Sequence, residues 1–278
     1  MIIDTQEIKK RAEIQKVSPS VILKDYLHQI ILVYIFKKGL FSGLVFQGGT
    51  ALRLIYKGVR YSEGLDFVLK KKNISFFKNL NENLKSLPSY IDRFIPFAKN
   101  IRLKSQKDTP SFKRFNLTLE TDFLGAKDRT QIEIACIPSY SNKISILQTD
   151  ILPLNPAVVA KTPHEILADK LLAFSLRDYL KGRDIWDIYF ILTTLSIPLD
   201  EKVKKMLRKK ISDYKIGIRK FKFKFHKNLS LLKKNGVLIL KTEMDRFLPA
   251  EYRNLFKSKY SKICKDEAET LEKLLKSF

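Results

Sequence analysis

The sequence predicts an α+β fold, in which a domain of mixed helices and strands precedes a basic, mainly helical domain. Two observations support this prediction: apolar runs typical of strands alternate with helical patterns before residue 195, and mainly helical patterns follow. A chain of 278 residues is long enough for about two domains. Because residues 196–198 have the composition of a turn, we assign residues 1–195 to an α/β domain and 196–278 to a helical domain.

Helix and strand signals alternate over the first part of the chain. Ser18 is a suitable N-cap and Pro19 a suitable first-turn residue, so we expect a helix from here to about Lys38. A short buried strand, a second helix and a second strand follow over residues 43–47, 51–57 and 65–69.

The middle of the chain predicts three strands after a short helix and a loop. The helix covers 75–86, and the loop runs from Pro88 to about Pro110. The first strand alternates apolar and polar side chains, as a half-buried strand does, and it pairs with the second as a hairpin. The three strands cover residues 112–123, 130–137 and 144–152. The hairpin turn between the first two covers residues 125–129.

Helical patterns dominate from Thr162 onwards. Thr162 and Glu165 have the spacing of a capping box, which predicts a helix over 163–176. A second helix covers 184–195, and Asp200 caps a third helix whose apolar residues recur at helical spacing.

The chain is strongly basic. Its net charge of +24 and its pI near 9.9 favour a polyanionic partner, either nucleic acid or an anionic membrane surface. Residues 196–278 carry 23 Lys and Arg against 10 Asp and Glu, so the charge is densest there. The most apolar early stretch, residues 30–36, is too short to span a bilayer, and we expect no membrane segment.

Cysteine usage favours a reducing compartment. Cys136 and Cys264 are far apart in the chain and have no histidine cluster near them. This pattern argues against a disulfide framework and against a zinc site. The N-terminal residues lack the apolar core of a signal peptide, so we expect a cytoplasmic protein.

A glycine turn joins the first strand to the helix after it. At Gly48 and Gly49 the absence of side chains lets backbone amides approach a phosphate, and the helix N-terminus adds a favourable dipole. Thr50 can cap the helix or bind a phosphate oxygen. Gly-Gly turns are common, so an ordinary structural turn is the alternative interpretation.

Two acidic residues interrupt apolar strands. Asp66 shares a strand face with Val68, and Glu133 shares one with Ala135. If the two strands are neighbours, Asp66 and Glu133 come together. Their repulsion then calls for Mg²⁺, which takes carboxylate and phosphate oxygens as ligands. The alternative is a pair of acids on a solvated sheet face.

A lysine interrupts the apolar arc of the helix over 163–176. Lys170 falls between Ile166 and Phe174, where it needs a phosphate or carboxylate partner unless it snorkels at the helix edge. Asp184 and Asp187 bracket the start of the next helix, as a cap and a first-turn acid do. An acid that orients Lys170 or a substrate hydroxyl is the alternative interpretation.

Together these motifs resemble the AbiEii/AbiGii family of nucleotidyltransferases, the toxin components of abortive-infection toxin–antitoxin systems. The resemblance spans about residues 44–195 and rests, in chain order, on FQGGTALRLIY, RYSEGLDF, IEIACIP, TPHEILADKLLAF and RDIWDIYFIL. It implies a polymerase-β-like nucleotidyltransferase fold with a mixed sheet. It also implies transfer of a nucleotidyl group from NTP with Mg²⁺, and a cognate antitoxin.

The resemblance implies roles for individual residues. Gly48, Gly49 and Thr50 match the phosphate-binding turn of the family, and Arg60 and Ser62 match the nucleotide-binding residues that precede its acidic pair. Asp66 matches the second aspartate of that pair, and Glu133 matches the third carboxylate. Lys170 and Asp184 match a helical lysine and a helical aspartate of the family.

Gly64 departs from the family pattern, which usually has the first aspartate of a D-x-D pair at this position. Two-metal nucleotidyl transfer uses such carboxylates to hold ions roughly 4 Å apart. Adjacent strand residues face opposite sides, so Glu63 can serve as a metal ligand only if the strand bulges at Gly64. The other outcomes are weak or one-metal catalysis and a protein that binds nucleotide or RNA without catalysis.

The charge excess makes RNA, and tRNA in particular, the expected acceptor. If residues 219–227 form a strand, their alternating phenylalanines and lysines present one aromatic and one basic face to bases and phosphates. Phenylalanines buried in a core are the alternative. Lys70, Lys71 and Lys72 either guide an RNA backbone or form a solvated turn.

Three classes of function fit these features. The first is an NTP-dependent nucleotidyltransferase toxin that modifies RNA. The second is a catalytically impaired nucleotide- or RNA-binding protein on the same scaffold. The third is a nucleotidyltransferase that acts on protein hydroxyls, and the basic surface argues only weakly against acidic protein targets. The direction of the Glu63 side chain separates the first two classes. A side chain in the cleft of Asp66 and Glu133 favours the enzyme, and one that points to solvent favours the binding protein.

Overall fold

The computed structural model describes residues 2–124, 127–149 and 151–278. The chain forms two compact units that divide between Lys161 and Thr162. The boundary predicted between residues 195 and 196 therefore lies inside the second unit, because the helices on either side of it pack against each other. The turn at 196–198 connects two helices of one unit.

The first unit contains six helices and seven strands among its described residues. In chain order they are α1 Thr5–Gln15, α2 Pro19–Lys37, β1 Leu44–Gln47, α3 Gly48–Leu54, β2 Gly64–Leu69, α4 Ile74–Lys78, α5 Leu80–Leu84, α6 Leu87–Asp92, β3 Ala98–Thr109, β4 Phe112–Thr121, β5 Lys127–Pro138, β6 Asn142–Ile146 and β7 Ala157–Lys161. A 3₁₀ turn, Leu40–Ser42, separates α2 from β1.

The strands form one seven-stranded sheet in the order β3-β4-β5-β2-β1-β7-β6. It is a mixed sheet, since β2 runs antiparallel to β1 but parallel to β5, and β1 runs parallel to β7. The predicted α+β fold with a mixed sheet is thereby confirmed. The predicted β4–β5 hairpin is also confirmed, although Gly125 and Ala126 of its turn lie outside the described residues.

Several features of the first unit differ from the prediction. The expected loop from Pro88 to Pro110 is wrong, because α6 and the long edge strand β3 lie there. β3 is mostly exposed and polar, so it has little strand pattern of its own and depends on its pairing with β4. Two further elements, α1 and β7, were not predicted. The weaker strand expected over 144–152 is the shorter β6, and Asp150 lies outside the described residues.

One face of the sheet carries the core of the first unit and the other carries polar side chains. α2 is buried at nearly every position from Ile22 to Ile35, as expected of a helix within a core. It packs against β5 and β2, whose core-side residues include Ile132 and Phe67. On the opposite face the residues of β4 and β5 are half-buried to exposed, as are Gly64 and Asp66 of β2, whereas Val68 is buried. We call this side of the sheet the open face.

The second unit is helical throughout its described elements. They are α7 Pro163–Leu176, α8 Gly182–Tyr189, a π-helical turn Phe190–Thr194, α9 Glu201–Asp213, α10 Ile218–Phe247, α11 Ala250–Lys257 and α12 Tyr260–Lys276. Residues 219–227 lie in α10, so the strand considered for them does not form. Phe221 and Phe225 are buried one helical turn apart, whereas Phe223 is 73 % exposed.

Two of the broader predictions concern membrane-spanning helices and the state of the cysteines. Among the described residues, no helix combines the length and the apolar character that crossing a bilayer requires. Cys136 and Cys264 are both buried and carry free thiols.

Candidate active site

The candidate site is a row of polar side chains across four strands of the open face. Gln47 on β1 is the register partner of Asp66 on β2, and Asp66 is the partner of Glu133 on β5. Glu133 in turn lies opposite Arg114 on β4. Directly opposed residues share a face of the sheet. The sequence prediction that Asp66 and Glu133 come together therefore agrees with the register of β2 and β5.

The glycine turn lies directly against Asp66. Gly48 has a φ of +79°, a backbone conformation that favours glycine. A Cβ atom built at Gly48 would lie 2.5 Å from Oδ2 of Asp66, so a larger residue would displace this carboxylate. β1 ends here and α3 begins, and the first backbone amides of α3 have no partners within the helix. A carboxylate and an amide-rich turn are thus held side by side.

Gly64 lies on the open face of β2, two residues before Asp66 and therefore in the next row of the sheet. It is the register partner of Gln131, and a Cβ atom at Gly64 would lie 2.8 Å from the backbone oxygen of Gln131. A contact this short is incompatible with a side chain unless β2 or β5 shifts. The backbone at this position therefore leaves room for glycine only. The aspartate that the resemblance predicts here is absent, and so is the space for its side chain.

Three residues expected to contact nucleotide have contacts within the protein. The Thr50 hydroxyl donates a short hydrogen bond to the Gly64 carbonyl, which attaches α3 to the start of β2. The buried Arg60 donates from Nη1 to the Tyr61 carbonyl at 2.7 Å and to the Ser62 hydroxyl at 3.4 Å. These bonds fix the conformation of the loop that leads into β2.

Glu63 lies at a recess of its own. The recess has a volume of about 560 Å³ and is lined by Lys24, Glu63, Thr118, Lys127, Asp128, Arg129 and Gln131. Among the described residues, its lining includes neither Asp66 nor Glu133. The Glu63 carbonyl accepts a hydrogen bond from Thr130 at 3.0 Å, which fixes the backbone at the start of β2. The side chain of Glu63 is exposed.

Arg114 is the positively charged residue of the site that the sequence analysis did not identify. Its Nε lies 2.7 Å from Oε1 of Glu133, and the two side chains are 34 % and 27 % exposed. The signal was present in the sequence, because Arg114 lies on the polar face of the alternating strand β4. The register of the hairpin was needed to pair it with Glu133.

A second cluster of charges lies within the second unit. Nζ of Lys170 on α7 lies 3.1 Å from Oδ1 of Asp184 and 2.7 Å from Oδ2 of Asp187, both on α8. Nε of Arg177 lies 2.7 Å from Oδ2 of Asp184. Burial alone would raise the pKa of Asp184, but the positive charges of Lys170 and Arg177 outweigh it and hold this pKa below its usual value.

The two clusters have different capacities for a cation. Among the residues that the structure describes, no group of three or more His, Cys, Asp and Glu side chains converges as a metal site. Asp66 and Glu133 nevertheless form a pair of neighbouring oxygen donors beside the glycine turn, and Mg²⁺ is commonly bound by one or two carboxylates together with substrate phosphates. In the second cluster the aspartates already hold Lys170.

Solved structures of similar proteins define the class of fold. A protein from H. pylori that is assigned provisionally as a nucleotidyltransferase aligns with a TM-score of 0.55 and 20 % identity, covering 94 % of this chain and 98 % of its own. JHP933 from Helicobacter pylori aligns with a TM-score of 0.50 and 20 % identity, covering 94 % and 97 %. At this identity the likeness establishes the fold. No curated protein matches the chain.

The family follows from the sequence itself. Residues 30–270 match the family described as "Nucleotidyl transferase AbiEii toxin, Type IV TA system". Because the match covers most of the 278 residues, the chain belongs to this family of toxin–antitoxin nucleotidyltransferases. The resemblance recognised from the motifs is thereby confirmed.

Proposed function

We propose that this protein is an NTP-dependent nucleotidyltransferase toxin that transfers a nucleotidyl group to an RNA acceptor, with tRNA as the first candidate. The observation that carries the proposal is the position of Asp66. It is the register partner of Glu133 and lies in contact distance of the glycine turn at Gly48. A carboxylate pair beside a cluster of backbone amides is the arrangement that phosphoryl chemistry requires.

The proposed reaction is a single displacement at phosphorus. The oxygen of an RNA hydroxyl attacks the α-phosphorus of NTP, the bond from that phosphorus to the bridging oxygen breaks, and pyrophosphate leaves. The hydroxyl proton passes to a carboxylate of the Asp66–Glu133 pair. The amides of Gly48 and Gly49 bind phosphate oxygens, and the glycines allow the close approach. Arg60 and Ser62 bind nucleotide by family resemblance, and the hydrogen bond between them lies in the loop before β2.

Asp66 and Glu133 are the residues that would hold Mg²⁺, which supplies positive charge to the phosphates of the nucleotide. Glu63 is a weaker candidate for a third ligand, because its recess is lined by other residues. The proposal is therefore a one-ion site in place of the pair of ions that a complete D-x-D motif supports. Lys170 and Asp184 have catalytic roles by family resemblance alone.

A catalytically impaired nucleotide- or RNA-binding protein is the second candidate function. Three observations favour it: the backbone at Gly64 has no room for the missing carboxylate, Glu133 is paired with Arg114, and the Glu63 side chain is exposed. The direction of Glu63 is the feature by which the sequence separates the two candidates, and here it supports the second. Under this reading the glycine turn still binds nucleotide while transfer is lost.

A labelling assay separates the two candidates. Purified protein is incubated with Mg²⁺, total tRNA and each of the four α-labelled NTPs in turn. We expect label transfer by the wild type and its loss in Asp66→Ala. Asp122→Ala is the matched control, because Asp122 is an acidic residue that is 81 % exposed in an ion pair with Lys99. Gly64→Ala reports the cost of any side chain at this position.

Absence of transfer by the wild type would contradict the enzymatic proposal. If NTP still binds and binding is lost in Gly48→Val, the second candidate function holds. Gly64→Asp is a less direct test than the motif suggests, because the new Cβ meets the Gln131 backbone. Restored transfer in Gly64→Asp, with Gly64→Ala inactive, would assign the loss of activity to the missing carboxylate.

The partners follow from the same reading. The family's toxin–antitoxin context supports a cognate antitoxin, and the net charge of +24 supports a nucleic acid partner. We propose a cytoplasmic location, since both thiols are free and an RNA acceptor is found there.

A further inference from the structure

Basic residues occupy regular positions on the open face beyond the row of Asp66 and Glu133. From Glu133 towards the N-terminal end of β5, the next open-face residues are Gln131 and Arg129. Arg129 is the register partner of Thr118 on β4, and Thr118 is the partner of Arg102 on the edge strand β3. Arg102 therefore shares a face and a row with Arg129, four strand positions from the row of Asp66 and Glu133.

Lysines on β3 continue this surface towards the carboxylate pair. Lys104 is the register partner of Asn116, and Lys107 is the partner of Arg114. Arg102, Lys104, Lys107 and Arg129 are all exposed, and we call these four residues the basic face. Successive rows on a strand face are roughly 6.8 Å apart, so the basic face extends from the row of Glu133 over roughly 14 Å.

An aromatic ring lies at the carboxylate end of the basic face. Phe112 is half-buried on the open face of β4. Nζ of Lys107 lies 5.5 Å from the centroid of its ring, and the guanidinium carbon of Arg114 lies 5.4 Å from it. Proteins that bind single-stranded nucleic acid combine such rings, on which bases stack, with cations that follow the backbone.

A recess lies at the other end of the basic face. It is the recess of about 560 Å³ to which Arg129 contributes, with Lys24, Thr118, Lys127 and Gln131 also in its lining. The lining also contains Glu63 and Asp128, so three of its seven residues are basic and two are acidic, and the pocket is large enough to accept one nucleotide. The polar lining favours a phosphate and ribose over an apolar ligand.

We propose that the basic face, with Phe112 and this recess, binds the single-stranded end of the acceptor RNA and leads it to Asp66 and Glu133. This inference rests on the proposed function, since it assigns the surface for its acceptor. A single strand fits better than a duplex because Phe112 requires an unstacked base, and A-form duplexes are bound mainly through their shape. The cations neutralise phosphates along the strand.

The test compares two double substitutions that remove equal charge. Arg102→Gln with Arg129→Gln neutralises the basic face, and Lys234→Gln with Lys241→Gln neutralises two exposed lysines of α10 in the second unit. Binding of a labelled single-stranded oligoribonucleotide is measured by fluorescence anisotropy at several KCl concentrations. We expect the first variant to bind on the order of tenfold more weakly, with a salt slope shallower by about 1.4, and the second to bind like the wild type.

Three results would overturn the inference. The first is an equal or larger loss of affinity in the α10 variant, which would move the RNA site or show a non-specific charge effect. The second is equal affinity for duplex and single-stranded RNA. The third is displacement of the RNA by polyglutamate as readily as by unlabelled RNA, which would indicate a site for acidic protein segments.

A further variant tests the aromatic contact. Phe112→Leu keeps an apolar side chain and removes the stacking surface, so affinity for the oligoribonucleotide is expected to fall about tenfold. Affinity for an abasic ribose-phosphate strand is expected to stay unchanged. Equal losses with both strands would contradict the stacking role.

Failure of this inference is distinguishable from failure of the proposed function. RNA binding that depends on Arg102 and Arg129, without any Asp66-dependent label transfer, would support the RNA surface and contradict the enzyme. Asp66-dependent transfer to RNA that is unaffected by the Arg102→Gln, Arg129→Gln variant would contradict the RNA surface alone.

Discussion

At the scale of single residues, the competition for Glu133 decides how the carboxylate pair meets a cation. Arg114 supplies a positive charge 2.7 Å from Glu133, on the same row of the sheet as Asp66. The family resemblance places a further carboxylate at Gly64, so two acids are present here, and one of them, Glu133, is held by Arg114. We therefore expect binding of a divalent ion to compete with this pairing.

Replacement of Arg114 is expected to strengthen binding of divalent ions. Because both side chains of the Arg114–Glu133 pair are partly exposed, their interaction contributes little, about 0.2–1 kcal/mol. In Arg114→Gln the Mn²⁺ affinity, measured by electron paramagnetic resonance, is therefore expected to rise up to about fivefold. Arg93→Gln, at an exposed arginine outside the sheet, is the control. A weaker Mn²⁺ affinity in Arg114→Gln would show that Arg114 supports the ion site.

Lys170 has a proposed catalytic role by family resemblance, and its ion pairs also predict a structural role. Its Nζ is shared by Asp184 and Asp187, which are 2 % and 3 % exposed. Lys170→Met would leave Asp187 buried without this lysine, and removing one partner of a buried pair costs about 3–5 kcal/mol. We expect the free energy of unfolding in urea to fall by about this amount.

A second variant separates stability from activity at this position. Lys170→Met with Asp187→Asn also removes the negative charge that Lys170 balances, so it is expected to recover part of the lost stability. If Lys170→Met changes stability by less than about 0.5 kcal/mol and abolishes only transfer, the lysine acts on substrate and the structural interpretation is wrong.

At the scale of elements, the packing of α2 on the sheet contains a buried histidine. His28 of α2 is fully buried, and its Nε2 lies 2.8 Å from the Thr130 hydroxyl on β5. The Thr130 hydroxyl donates to the Glu63 carbonyl, so Nε2 of His28 is assigned as the donor to Thr130. Burial lowers the pKa of His28 from 6.5 to about 4, partly offset by Asp25.

This histidine predicts a loss of stability in mild acid. Between pH 6.5 and about 4 the unfolded state binds a proton that the folded state excludes, so the free energy of unfolding falls as pH falls through this window. The full effect amounts to about 3 kcal/mol. Urea midpoints measured across the window are expected to fall less in His28→Gln than in the wild type. Equal slopes would show that His28 does not titrate in this way.

The same scale separates what the sequence could predict from what it could not. β4 and β5 were predictable because alternation along each strand reports one buried and one open face. Asp66 and Glu133 were identifiable because each interrupts an apolar run. β3 was not predictable, since its exposed polar residues are ordered by pairing with β4 and not by burial. The Arg114–Glu133 pair required the register, which no local pattern specifies.

At the scale of the whole molecule, a buried lysine and its two carboxylate partners lie on opposite sides of the predicted boundary but within one unit. Lys210 of α9 is fully buried, with Nζ 2.8 Å from Oε1 of Glu165 and 2.6 Å from Oδ1 of Asp169, both on α7. Burial would lower the pKa of Lys210, but Asp169 and Glu165 outweigh it and raise this pKa above its usual value. The turn at residues 196–198 separates Lys210 from both partners along the chain, although all three belong to the second unit.

The position of Lys210 predicts which fragments fold. A fragment of residues 162–278 retains Glu165 and Asp169, so it is expected to unfold cooperatively in urea when expressed alone. A fragment of residues 196–278, which follows the boundary suggested by the sequence, leaves Lys210 without its carboxylates and loses α7 and α8 from the core. It is expected to show no cooperative transition.

The control adds Lys210→Met to this shorter fragment, which removes the buried charge but does not restore the missing helices. Cooperative unfolding of this variant would indicate that the charge at Lys210 decides the boundary. Cooperative unfolding of the unsubstituted 196–278 fragment would instead establish the boundary at residue 196.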